Sequence, residues 1–393
     1  MKAKFFNIVA AVPFAALMAA ALLAASCGGR KTTPAPFSIA EGLYDLADSC
    51  SLGLRKAAGT ETFTIFTPRE QTDHFSHGAV LTAFRGRLYC MWQSSADDED
   101  TPDTRTVYST SADGGKTWSE PTVLAPSPEG ETYATAGGWC VCGGELTAFI
   151  NVFTRKNSVG HVRYVCSTDG ERWSAPRDLL MADGRRMDAI IEQDIHTLPG
   201  GRLLTAAHRT PGMSVCPVYT DDPTGRSGWK YAAFSCTQME KSSREIEPSL
   251  YLKRDGTAVM MFRDQGSSYH KIAAESTDGG LSWTAPVLTD VPDSRSKQSA
   301  GNLPDGTAFF VSNPSGCRNR FPLVLTLSAD GTLFDRAFLL RSREEIPPVL
   351  FDAAGRRPSL SYPKSLVYGD YLYVAYAVNK QSVECTRVPL AAL

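Results

Sequence analysis

Apolar residues along this chain fall in short runs, paired across a polar turn centred on glycine. Val80-Leu-Thr-Ala-Phe-Arg-Gly86-Arg-Leu-Tyr-Cys-Met-Trp92 shows the pattern: two short strands and a tight hairpin between them. The shape recurs at Gly144, Gly201, Gly256, Gly306 and Gly369, at intervals of 50 to 63 residues. Many of these runs are apolar on both faces, which suits strands sandwiched between neighbouring sheets. Five of the six turns are followed 20 to 27 residues later by an acidic turn, built round Asp113, Asp169, Asp221, Asp278 and Asp330. A repeat of this length carrying two hairpins predicts an all-β propeller, and six units predict six blades. No acidic turn follows Gly369, so the last blade needs an outer strand from elsewhere. Thr60-Glu-Thr-Phe-Thr-Ile-Phe-Thr67 alternates apolar and polar and is expected to close it from the N-terminal side, leaving no open edge.

The acidic turns read Ser111-Ala-Asp-Gly-Gly-Lys-Thr-Trp118, Ser167-Thr-Asp-Gly-Glu-Arg-Trp173, Thr220-Asp-Asp-Pro-Thr-Gly-Arg-Ser-Gly-Trp229, Ser276-Thr-Asp-Gly-Gly-Leu-Ser-Trp283 and Ser328-Ala-Asp-Gly-Thr-Leu-Phe334. Ser and Asp satisfy turn amides, Gly supplies positive φ, and the aromatic buries against the blade. This is the Asp-box motif, and the chain resembles the BNR repeat proteins of the sialidase superfamily. The resemblance implies a structural role for the boxes, on the rim away from the active site.

In a propeller the innermost strands converge on a central funnel. Residues just before each hairpin turn are therefore expected to line one pocket: His77, Gln193 with Asp194, Glu247, Lys297 with Gln298, and Tyr362 with Lys364. Asp97 to Asp100, Arg263, Asn313, Arg318 and Arg320 join them from the loops after blades one, four and five. The resemblance implies roles for several. Sialidases use a tyrosine nucleophile polarised by a glutamate, an aspartate acid/base and three arginines that clamp the substrate carboxylate. Glu247-Pro-Ser-Leu with Met-Phe-Arg263 is similar to the segment bearing the glutamate and second arginine. Asn313-Pro with Arg318-Asn-Arg320-Phe-Pro is similar to the third-arginine segment, with Arg320 the better match and Arg318 the runner-up. Ser361-Tyr362-Pro-Lys364 resembles the tyrosine segment. A phenol of pKa near 10 attacks poorly until an adjacent base takes its proton, and two guanidinium forks can grip a carboxylate.

Blade one departs from the family. Where sialidases carry Arg-Ile-Pro, this chain reads Asp73-His-Phe-Ser76-His77-Gly, with Ser76 at the arginine's place and His77 beside it. The arginine expected after Met91-Trp92 is replaced by Ser94-Ser95. His77 is then a substrate contact, a general acid/base or a histidine bonded within its blade. The acid/base is expected in the acidic loop after blade one, where distance from the first box favours Asp100. That run could also take calcium, although no spaced ligand pattern is present.

The leading expectation is an exported exo-acting hydrolase removing a terminal acidic sugar from a glycan by a retaining, tyrosyl-enzyme route. The alternatives are a uronic-acid-linked glycan hydrolase or lyase using His77, and a non-catalytic glycan-binding lipoprotein. No phosphate loop, dinucleotide fingerprint or zinc spacing appears, so no cofactor or metal is expected. A net charge of −2 argues against nucleic acid as partner.

Lys2 and Lys4 precede an apolar run from Phe5 to Ala25, then Ser26-Cys27-Gly-Gly. This predicts a lipoprotein signal over 1–26, lipidation at Cys27, a tether with an N-terminal segment over 27–58, and the propeller over 59–393. The alternative is a generic signal peptide or a single anchor. The segment Phe37 to Ala58 is expected either to pack outside the propeller or to stay mobile. A lipid-anchored monomer at a bacterial outer membrane follows, in an oxidising compartment. Nine cysteines remain after Cys27, most of them buried apolar residues, with one or two disulfides whose pairing stays open.

Overall fold

The computed structural model describes residues 34–99, 101–127, 132–153, 160–191, 194–209, 212–353 and 356–393. Among these, the strands form six antiparallel sheets, each running from an innermost to an outermost strand, and one short parallel pair outside them. The innermost strands are Phe75–Phe84, Thr132–Cys142, the split pair Ile190–Ile191 and His196–Thr197, Glu245–Leu252, Ser299–Asn302 and Leu360–Tyr368. The architecture is a six-bladed propeller. Glu61–Phe66 pairs with Ser382–Pro389 and becomes the outermost strand of blade six, with Glu61 opposite Arg387. The expected closure from the N-terminal side is what the chain does.

The core lies between blades. One apolar cluster joins blade six to blade one through Ile65, Trp92 and Tyr373, and the next joins blades one and two through Met91, Trp139 and Ile150. Equivalent slabs continue round the ring to Leu325 and Val374 between blades five and six. This accounts for runs apolar on both faces: each strand in a blade presents one side chain to either neighbour.

The Asp-boxes fasten these slabs at the rim. In the first, the Ser111 hydroxyl donates to Asp113, whose carboxylate accepts from the backbone N–H groups of Lys116 and Thr117. The Trp118 indole donates to the Gly115 carbonyl. In blade three the box carboxylate belongs to Asp222, which accepts from Thr224 and Ser227, whereas Asp221 pairs outward with Arg202. The expectation of Asp221 is corrected by register: every box places its acid two residues after the hydroxyl residue, and Thr220 sets that count. Gly170 needs its glycine twice over, because its φ is +79° and an added Cβ would collide with the Tyr89 hydroxyl of blade one.

Phe37 packs edge-on against Tyr251 and Phe334, Ser38–Ile39 runs parallel to Leu333–Phe334, and the Tyr44 hydroxyl meets Thr326 at 2.6 Å. The segment Phe37 to Ala57 is therefore bound to the outside of blades four and five. Residues 1–33, including Cys27, lie outside the described residues. No helix among the described residues is long and apolar enough to cross a membrane.

All nine described cysteines are free thiols, in place of the one or two disulfides expected. Cys90, Cys166, Cys216 and Cys385 are buried in central strands, where burial pushes their thiols up from the ordinary range.

Candidate active site

Four innermost strands break register, and in three of them, blades one, four and six, the break adds a single residue at one equivalent point. In blade four the pairing steps from Ile246–Arg263 to Ser249–Met261, in blade six from Ser361–Ala377 to Lys364–Ala375, and in blade one from His77–Gln93 to Val80–Met91. Each is a β-bulge with one extra residue, and such bulges re-aim a side chain. The first bulge residues are Glu247, Tyr362 and Gly78, with φ of 51°, 58° and 65°. Pro248 and Pro363 follow the first two, where the broken ladder needs no N–H. Two of these positions thus hold a carboxylate and a phenol in left-handed backbone, a strained state that clusters at functional sites.

These two side chains meet. The Tyr362 hydroxyl donates to Glu247 Oε1 at 2.7 Å, and Arg263 donates to Glu247 Oε2 at 2.8 Å and to the phenol oxygen at 3.1 Å. Lys297 Nζ lies 4.7 Å and the Arg320 guanidinium 5.1 Å from the Tyr362 ring centroid, and the His77 ring is 4.2 Å away. Burial alone would raise the Glu247 carboxyl, but Arg263 and Lys297, with the hydrogen bonds from Tyr362 and Arg263, hold it down at about 2. Burial, then the Glu247 charge, pushes the Tyr362 phenol above its ordinary range against Arg263, Arg320 and Lys297. Desolvation and the cations Lys380, Arg320, Lys297 and Arg263 force His77 well below its usual value, so its imidazole is neutral.

A second layer pins Glu247. Its backbone N–H donates to His208 Nε2 at 3.0 Å, and its carbonyl accepts from Gln298 Nε2 at 2.9 Å. Gln298 in turn accepts from Lys271 at 2.7 Å, and Lys271 is paired with Asp293 at 2.7 Å, both wholly buried. With both backbone groups held, the left-handed turn at Glu247 does not relax.

The model of a BNR repeat-like domain matches residues 86–374. The chain belongs to this family. No curated protein sequence matches it. Among solved structures, a protein of unknown function from Dyadobacter fermentans is 18% identical, with a TM-score of 0.62 over 84% of this chain and 99% of its own. A sialidase is 18% identical with a TM-score of 0.55, covering 91% of this chain and 35% of that one, so this BNR propeller spans about a third of that enzyme. The Hadza microbial sialidase Hz136 is 14% identical with a TM-score of 0.66, covering 84% of this chain and 69% of that one. The likeness is one of fold.

Of the residues expected at the funnel of the BNR propeller, Tyr362, Glu247, Arg263, Arg320 and His77 come together. Arg318 does not join them: it is exposed, and its carbonyl accepts from Arg357. Asn313 is buried and spends its amide on the Pro322 carbonyl at 3.1 Å, which fixes a loop. Lys364 is buried and lies 3.5 Å from Asp194, across from blade three. Asp100 and Gln193 lie outside the described residues. Asp97 sits 3.7 Å from His74 at the start of blade one, and Glu99 pairs with Lys380 of blade six. Among the described residues no group of three His, Cys, Asp or Glu is placed to hold a metal ion.

Sequence reasoning missed Arg295, Gln265, His208 and the Lys271–Asp293 pair. Arg295 had a signal, since it stands two residues before Lys297 in the same polar approach to blade five. His208 and Lys271 had none, because each lies in an ordinary second or third strand.

Proposed function

We propose that this BNR propeller is an exo-acting glycoside hydrolase of sialidase type that removes a terminal acidic sugar from a glycan. The observation that carries the reading is the 2.7 Å hydrogen bond from the Tyr362 phenol to Glu247, enclosed by Arg263, Arg320 and Lys297. In the resting site the proton stays on Tyr362 and Glu247 is ionised. An acidic sugar brings a negative charge that offsets the surrounding cations and makes Glu247 more basic. As Tyr362 Oη attacks the anomeric carbon, Glu247 takes the phenol proton and the glycosidic C–O bond breaks. The leaving oxygen takes a proton from an acid, for which Asp100 is the candidate. Water, deprotonated by that acid's conjugate base, then displaces Tyr362, and Glu247 returns the proton to the phenolate, so configuration is retained. A phenol suits this site because it meets an anionic sugar with less repulsion than a carboxylate would; sialidases are a named exception to the two-carboxylate pattern.

The phenol is bonded to Glu247, while neither nitrogen of His77 has a hydrogen-bond partner among the described residues. This arrangement favours the hydrolase over a lyase using His77 as base. Lipid anchoring through Cys27 at a bacterial outer membrane, with the propeller acting as a monomer on exported glycans, completes the proposal.

The test is release of aryl alcohol from an aryl sialoside beside aryl glycosides of neutral sugars and uronic acids. Hydrolysis of the sialoside is expected, and Tyr362→Phe is expected to lower kcat by about a thousandfold or more. An active-site fluorosugar should leave a covalent adduct on Tyr362 by mass spectrometry. Equal activity in Tyr362→Phe, or release of an unsaturated product, defeats the reading.

A further inference from the structure

Neighbouring blades are stitched by side chains that reach a backbone group next door. The Trp139 indole donates to the Val80 carbonyl at 3.0 Å, Asn151 exchanges two hydrogen bonds with the Ile191 backbone, and Ser299 Oγ accepts from the Ser365 backbone N–H at 3.0 Å. Lys364 reaches further. It belongs to blade six, and its ammonium lies 3.5 Å from the carboxylate of Asp194, which stands between Ile190–Ile191 and His196–Thr197 in blade three. Blades four and five lie between these two on one side of the ring, and blades one and two on the other. The pair therefore crosses the propeller axis, a span that the long stem of a lysine can make.

Stability alone does not account for the pair. Lys364 is buried, and desolvating an ammonium cancels much of what its attraction to a carboxylate returns. Burial, opposed by Asp194 and helped by Lys364, holds the His196 imidazole below its ordinary value, so this histidine is neutral and does not compete for the Asp194 charge. The place of Lys364 in its strand gives the pair a use. Register in blade six is lost at Ser361–Ala377 and regained at Lys364–Ala375, so Lys364 ends the bulge that holds Tyr362. The next residue, Ser365, is fixed to blade five, its hydroxyl 2.7 Å from that of Ser299. Before the bulge, the Leu360 N–H donates to the Arg320 carbonyl at 2.8 Å. Tyr362 is thus a left-handed residue whose return to the ladder is set by a side chain anchored on the far side of the axis.

We propose that Lys364 and Asp194 form a strut across the axis that positions the Tyr362 hydroxyl for attack. Both act through Tyr362 and are positioning residues. Blade three then sets both members of the reacting pair: His208 holds the Glu247 backbone N–H at 3.0 Å, and Asp194 holds the end of the Tyr362 bulge. The phenol has to meet Glu247 and an anomeric carbon at once, and a shift of about 1 Å in such a group lowers rate by about a hundredfold. The sequence placed Lys364 against substrate; its burial and its partner give it this other task. The strut rests on the hydrolase reading above and names the residues that keep its nucleophile in place.

The experiment compares wild type, Lys364→Met, Asp194→Ala and the double variant on the aryl sialoside. Melting temperature is measured for each, and the active fraction is counted by the fluorosugar adduct on Tyr362. In each single variant kcat per active molecule is expected to fall about 10- to 100-fold, with KM within about threefold. The double variant should fall no further than the worse single one, because either change already breaks the strut. Should Lys364→Met not fold, Asp194→Ala, which truncates a half-buried side chain, asks the same question. A kcat per active molecule within about twofold of wild type in either single variant overturns the strut, even where the melting temperature drops, because the pair would then only support the fold. Losses that multiply in the double variant overturn it too. In both cases Tyr362-dependent hydrolysis by the wild type leaves the hydrolase reading standing. A wild type that cleaves none of the aryl glycosides overturns both.

Discussion

Glu247 carries the electrostatics of the funnel in one side chain. It is 6% exposed, strained in backbone, bonded to a phenol and paired with a guanidinium. Its carboxyl is held at about 2 in the folded chain against an ordinary 4.5. A group with a depressed folded pKa contributes stability that is present above the unfolded value and fades as pH falls through the folded one. The stability gap between wild type and Glu247→Gln is therefore expected to be constant from pH 8 to about 5. It should shrink between about 4.5 and about 2, as chemical denaturation across that range will show. A gap independent of pH would mean that Arg263 does not hold the charge. His77 acts in the opposite direction to a paired histidine: kept neutral by burial and four cations, it costs stability once the unfolded imidazole protonates below about 6.5. His77→Gln is expected to flatten the loss of melting temperature between pH 7 and 5.

At the scale of elements, the bulge is the device that makes a site out of a repeated hairpin. In blades one, four and six it turns one residue of the innermost strand out of the ladder, and the chain fills those positions with Glu247 and Tyr362 but leaves Gly78 in blade one. The Asp-boxes do the complementary work at the rim, where their glycines allow a turn to rest on the neighbouring blade. Gly170→Ala must clear the Tyr89 ring and sit at positive φ. It is expected to destabilise by about 2–4 kcal/mol, combining overpacking with backbone strain. The melting temperature should fall while KM on the aryl sialoside stays constant, since the box is remote from Tyr362. Gln298→Leu should act on the site instead: it frees the Glu247 carbonyl and removes one of the acceptors of Lys271, so kcat is expected to fall about tenfold or more.

At the scale of the whole molecule, the ring has no free sheet edge at its seam because Glu61–Phe66 closes blade six. Ile65 lies 6% exposed in the cluster that joins blades six and one. Ile65→Asp would bury an unpaired charge at that closure. It is expected to cost about 3–5 kcal/mol and to broaden thermal unfolding, as calorimetry would detect. A sharp transition at the wild-type temperature would show that the seam adds little to cohesion.

The repeat, the blade count, the closing strand and the Asp-box aromatics were legible in the sequence, because period and turn chemistry are local properties of the chain. So was the set Tyr362, Glu247, Arg263 and Arg320, since Glu247 and Tyr362 stand just before a hairpin turn and the segments of all four resemble those of the sialidase family. Asp222 in place of Asp221, and Arg295 with Gln265, were not read, because they depend on register and on which side chain reaches across a blade junction. Composition and spacing determined that this chain closes a ring of six sheets with polar residues at its centre. Only the tertiary structure decided which of those residues touch, since bulges turn side chains by left-handed dihedrals that no hydrophobic pattern encodes and charges gather from strands far apart in the chain.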